Sequence, residues 1–146
     1  HKYNLLIGER MAEDIKIKIG SAYPPKKELT YEVRGRDLIQ GIPRTLTLSS
    51  VEVREALSVQ LNLIISAIAD ALEEAPPEIL ADLGSSGIVI AGGGALIQGI
   101  KDMFEEKVKM KFAVADNPIE CVVKGTQILL EDIDLLEKVK ENYDMF

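Results

Sequence analysis

The side chains most suited to chemistry near neutral pH occur once each, His1 at the start of the chain and Cys121 far along it. A lone histidine at an end reads as a surface residue. Cys121, followed by Val122 and Val123, reads as a small buried side chain, because no second histidine exists to take its proton. One cysteine allows neither an internal disulfide nor a thiolate zinc site. The carboxylates are many but scattered, without metal-ligand spacing, so hydrolytic or redox chemistry housed wholly in these 146 residues is not expected. What remains is backbone chemistry. Ile88-Val89-Ile90-Ala91-Gly92-Gly93-Gly94-Ala95-Leu96 has the order strand, glycine turn, helix. Glycine lets a backbone approach a ligand with no Cβ between them. A following helix offers free N–H groups and the positive end of its dipole, and ligands of open α/β sheets lie beyond the carboxyl ends of strands. The run is neither the dinucleotide fingerprint nor a P-loop, so on its own it fits a nucleotide contact or a tight packing turn. Glu13 and Lys16, three apart, read as a surface ion pair worth a few tenths of a kcal/mol.

These residues need elements to hold them. Segment 1–8 reads as the end of a truncated helix closed by Gly8. Met11, Ile15 and Ile19 recur at helical spacing over 9–19, and Gly20 stops that helix. Leu29, Tyr31 and Val33 alternate with polar residues, as do 45–48, which predicts two strands of a long-looped hairpin. Ser49 and Glu52 form a capping box that opens a helix to about Glu74. From 57 to 72 that helix is apolar nearly all round, which predicts burial between other elements. Pro76-Pro77 ends it and starts a short helix over 78–83, followed by a turn at 84–87. Runs 88–91 and 112–115 read as buried strands of a parallel sheet, with a helix over 95–107 between them. Asn117-Pro118 predicts an N-cap and first-turn proline. Gly125, inside the resulting helix, predicts close backbone packing. Ile133, Leu136, Val139 and Tyr143 form one stripe of an amphipathic tail.

Composition sets outer limits. With 47% apolar and 28% charged residues the chain is ordinary globular material. A net charge of −7 argues against binding a nucleic-acid backbone. The least charged stretch, 56–69, is too short and too polar to span a bilayer. No signal peptide is visible at the start, and a chain that begins with His1 rather than Met reads as a piece of a longer one.

Three stretches taken together narrow the field: Gly8-Glu9-Arg10-Met11-Ala12-Glu13-Asp14-Ile15-Lys16 continuing to Pro24, Glu32-Val33-Arg34-Gly35-Arg36-Asp37-Leu38 continuing to Thr45, and Gly87 to Leu96. In this order and spacing they resemble MreB, the family of bacterial actin homologues that determine rod shape. Run 75–83 is similar to the family's helix before its glycine motif. The resemblance covers residues 1 to about 130. It implies an α/β fold of the actin-like class, within the ribonuclease H-like (ASKHA) superfamily, of which this chain supplies mostly the second domain. A small α+β outer subdomain would take 9–57, the sheet-bearing subdomain 58–116, and a returning helix and tail 117–146.

The resemblance further implies ATP as ligand, with magnesium in the complete protein. The adenosine side would be held by Glu13, Asp14, Ile15 and Lys16 and by Gly92, Gly93, Gly94, Ala95 and Leu96. The family's phosphate loops and water-positioning residues precede the position of His1, so the fragment alone is expected to be inactive. Implied partners are further copies of the protein in a filament, a membrane-anchored cell-shape protein such as RodZ, and the inner membrane through the first domain, with no nucleic acid. The implied location is the cytoplasm, at the inner face of the cell membrane. Family members usually carry Thr at the positions of Met11 and Ala91, and Gly-Lys-Ala-Leu where this chain has Gln127-Ile128-Leu129-Leu130. The alternatives are a sugar-kinase-like or chaperone-like ATPase of the same superfamily, and a fold-only module with a dead site.

Overall fold

The computed structural model describes residues 1–143. Segment 1–8 is not a helix: Leu5–Leu6 forms a short strand, β1. Asn4 adopts a left-handed backbone (φ 48°), and its carbonyl accepts the Leu38 amide at 2.8 Å. This turns the chain onto the free edge of Thr30–Asp37 (β2), with Leu5 opposite Asp37 and Leu6 opposite Arg36. The helix Glu9–Ile19 (α1) lies between them in sequence, as its periodicity predicts. Pro43–Ser49 (β3) completes an antiparallel sheet of order β1-β2-β3, paired from Thr30–Ser49 to Arg36–Pro43. Its inward residues, with Ile15 and Ile19 of α1, enclose the first core around Val33.

Ser49 caps the helix Ser50–Glu74 (α2) through both halves of the capping box. Val53 belongs to the first core. Leu61 belongs to a second, with Ile100, Met103, Phe104 and Phe112, and Leu57 packs against both. One helix is thus the spine of two clusters. The expected burial all round is corrected, since Val59, Leu63 and Ile64 are exposed. Neighbours cover α2 on one side only: the sheet and α1 at its start, the second cluster further along. By length and composition α2 could cross a membrane, yet its Leu57, Leu61, Ile65 and Ile68 stripe is engaged in that cluster.

Pro77–Ser86 (α3) follows, and its backbone is helical through Gly84, where a turn was expected. Ile88–Ile90 (β4) and Phe112–Val114 (β5) pair in parallel, Ile88 opposite Phe112 and Ile90 opposite Val114, as the apolar runs predict. Full burial of these strands is corrected, for Val89 points out and is 65% exposed. The Ile100–Val108 helix (α4) covers the other face, where Phe104 and Phe112 meet at 5.5 Å between ring centres. The next helix, Cys121–Glu131 (α5), starts later than predicted, because Asn117 is left-handed (φ 49°) and forms a turn with Glu120. A Cβ built on Gly125 meets nothing within 4 Å, which corrects the expected close packing there. Ile133–Tyr143 (α6) is the amphipathic tail. The Tyr143 side chain and positions 144–146 of that tail lie outside the described residues.

Candidate functional site

Beyond the carboxyl end of β4 the chain enters the glycine turn. Gly92 has φ 83° and ψ 169°, a backbone region essentially reserved for glycine, and its amide donates to the Pro118 carbonyl at 2.7 Å. Gly92 is therefore demanded by the turn itself. Gly93 and Gly94 are not. Their φ angles are ordinary, both are exposed, and a Cβ on either meets nothing within 4 Å. Packing leaves the space above them open. Ala95 is buried and Leu96 exposed.

The single helix expected over 95–107 is two pieces. Gly93–Leu96 makes one 3-10 turn, Ile97 and Gln98 are extended, and α4 begins only at Ile100. The dipole of a long helix therefore does not start at the triplet. The break has a cause. Gln98 forms a parallel bridge with Ser21, its carbonyl accepting the Ala22 amide at 2.8 Å. Gly99 then turns left-handed (φ 77°), and a Cβ there would stand 2.9 Å from Tyr23 Cβ. The end of α1 and the residues just beyond the glycine turn are thereby joined.

On α1, Lys16 donates to Glu13 at 2.7 Å in a largely exposed pair, as the spacing predicts. Asp14 is half-buried, and Ile15 is buried in the first core. Glu13, Asp14 and Lys16 are the side chains of this run that can face a ligand. Residues that sequence reasoning missed hold the following loop. Ser50 donates to Glu28 and accepts the Leu29 amide at 2.9 Å, while Arg54 reaches Glu28 at 3.2 Å and Ser21 Oγ at 3.4 Å. The Ser50 hydroxyl first, then Arg54, holds the Glu28 pKa below its ordinary value. No periodicity signals this network, since its members meet only in three dimensions.

A second feature lies apart from the glycine turn. A cavity of about 510 Å³ opens between the three-stranded sheet, α1 and α2, walled by Leu5, Ile15, Val33, Leu46 and Val53. Glu52 and Lys16 stand in its lining. Glu52 accepts from the Tyr3 hydroxyl, the Ser49 amide at 3.0 Å and Lys2 at 3.1 Å. Those bonds, Tyr3 first, hold its carboxyl at a pKa of about 2. None of Gly92 to Leu96 lines this cavity. Among the described residues, no three His, Cys, Asp or Glu side chains are grouped to hold a metal.

A parallel strand pair with a glycine turn at its carboxyl end, tied to the end of α1, belongs to an α/β fold of the actin-like class. MreB 5 of Spiroplasma citri bound to AMPPNP matches 97% of this chain with a TM-score of 0.85 and 34% identity, over 41% of its own length. The MamK double helical filament shares the fold at TM-score 0.72 and 24% identity, over 88% of this chain and 39% of its own. The family model for the MreB/Mbl protein matches residues 1–138, and the chain belongs to that family. The cell shape-determining protein Mbl of Bacillus cereus is 47% identical over 94% of this chain. The cell shape-determining protein MreB of Escherichia coli is 45% identical over 91%. The chain spans 41% and 38% of those two relatives. A sugar-kinase-like or chaperone-like reading is disfavoured by these matches.

Proposed function

We propose that this chain is the adenosine-side part of an ATP-binding, actin-like filament subunit that sets bacterial cell shape and organises wall synthesis. The observation that carries it is the open space over Gly93 and Gly94, two glycines that neither backbone strain nor packing requires. In this reading a base or ribose lies against the backbone of Gly93 and Gly94, and Glu13 and Lys16 supply the polar groups that recognise it. The family relationship and the nucleotides bound in the Spiroplasma citri structures support the same assignment. Subdomains 9–57 and 58–116, joined through α2, form one wall of the cleft in this reading. ATP supplies the phosphoryl group when bound. In this reading magnesium and the phosphates are held by other parts of the protein, and this chain's work is to bind and orient the adenosine. The filament, its cytoplasmic location at the membrane, and a membrane-anchored partner such as RodZ complete the proposal.

The test is ATP titration of the full-length protein, unmodified and as Gly93→Val, by calorimetry. A branched side chain would stand where the adenosine is proposed to lie, so affinity falls by more than about tenfold, on the order of 1.4 kcal/mol, with an unchanged melting curve in the absence of nucleotide. Parental affinity in a folded Gly93→Val protein would overturn the assignment.

A further inference from the structure

Both runs assigned to adenosine are anchored on the short segment 20–22. The Gly20 amide donates to the Lys16 carbonyl at 3.0 Å and closes the last turn of α1. Two positions on, the Ala22 amide donates to the Gln98 carbonyl at 2.8 Å. Ile97, next to Gln98, donates to the Gly94 carbonyl at 3.1 Å, inside the glycine triplet. Ser21 stands between these two anchors and is 1% exposed. The backbone of 20–22 therefore sets the spacing between the 13–16 run and the glycine turn. A side chain from α2 holds that backbone in place. Arg54 donates to Ser21 Oγ at 3.4 Å and to Glu28 Oε1 at 3.2 Å. Glu28 is fixed in turn by the Ser50 hydroxyl. Buried Ser50 exchanges two bonds with Leu29, its amide donating to the Leu29 carbonyl at 2.8 Å and its Oγ accepting the Leu29 amide at 2.9 Å. A guanidinium is a rigid planar fork, so the bond to Glu28 fixes where the second nitrogen points. Only 19% of the Arg54 side chain is exposed, and its neighbour Val53 is seated in the first core.

We propose that Arg54 is a positioning residue for the nucleotide: through Ser21 it sets the distance between the 13–16 run and the glycine turn, and so tunes adenosine affinity from outside the ligand's reach. This rests on the adenosine reading above and names what regulates the width of that site. An ion pair with a partly exposed carboxylate adds little to folding, so the pair with Glu28 serves geometry more than stability. Loss of the brace leaves the Ser21 hydroxyl buried without its partner and lets segment 20–22 shift against Gln98. ATP and ADP carry the same adenosine, so the brace acts on both alike.

Calorimetric titration of the full-length protein with ATP and with ADP tests the proposal through Arg54→Met, Ser21→Ala and the double variant. Methionine keeps an unbranched apolar stem and drops both bonds. Arg54→Met should weaken ATP and ADP by the same factor, about fivefold. Ser21→Ala removes one hydroxyl, carries the test alone if Arg54→Met does not fold, and should lose about threefold. The double variant should lose no more than Arg54→Met alone, because Arg54 acts through Ser21, whereas independent structural losses would add. Parental affinity in Ser21→Ala or in folded Arg54→Met, losses that add in the double variant, or unequal losses for ATP and ADP would overturn the brace. The adenosine reading would still stand as long as Gly93→Val loses affinity. Parental affinity in folded Gly93→Val would overturn that reading, and the brace with it.

Discussion

The Gln98 carbonyl accepts the Ala22 amide at 2.8 Å, and this bond ties the end of α1 to the segment just past the glycine turn. It works because Gly99 turns the chain left-handed immediately afterwards, bringing it against Tyr23. Gly99→Ala adds a Cβ both to a positive φ and to a 2.9 Å contact with Tyr23 Cβ. Destabilisation of about 1–3 kcal/mol is expected, read as a lower urea midpoint. A midpoint unchanged from the parent would show that the tie is slack.

Adjacent glycines should respond differently. Gly92→Ala forces a side chain into a backbone region that only glycine occupies readily, and should cost about 1–3 kcal/mol. Gly93→Ala places its methyl in open space, and its effect on folding should fall within about 0.5 kcal/mol. Thermal melts of the pair without nucleotide separate the turn's own requirement from the ligand's. Equal losses at both positions would mean that the whole triplet serves the turn.

What could be read in advance was local. Ser49 with Glu52 and the Pro76-Pro77 break fixed both ends of α2, because capping and proline act within a few residues. Alternation found β2 and β3, and an apolar run bounded by glycines found β4. Contacts between distant residues were not legible. β1 exists only because β2 offers it an edge, and a two-residue strand has no period to detect. The helix expected over 95–107 is broken by the Ser21–Gln98 bridge, whose partners lie far apart in the chain. At the candidate site the glycine triplet was visible, whereas the Glu28, Ser50 and Arg54 network that braces its neighbourhood was not.

Acid should unfasten the start of the chain from α2. The Glu52 carboxyl sits at a pKa of about 2 in the fold against its ordinary 4.5, chiefly through the Tyr3 hydroxyl and then the Ser49 amide and Lys2. With the folded pKa lowered, the unfolded chain binds more protons as pH falls. The contribution is complete above about 4.5 and is lost on going down toward 2. The melting temperature should fall across that window, and both Glu52→Gln and Tyr3→Phe should flatten part of the fall. A profile identical in the parent and both variants would remove Glu52 from the account.

The two faces of α2 should differ sharply in what they tolerate. Leu61 is 3% exposed and packs among Ile100, Met103, Phe104 and Phe112, so Leu61→Ala leaves a void in the second core. Such deletions cost about 2–5 kcal/mol, the transfer of the lost methyls plus the cavity. Leu63, two positions on, is 60% exposed. Leu63→Ser should change stability by no more than about 0.5 kcal/mol in this 146-residue chain. Urea titration of both variants gives the comparison directly. A large loss for Leu63→Ser, with m unchanged, would show that the outer face of α2 is packed in solution, and the one-sided spine described above would have to be abandoned.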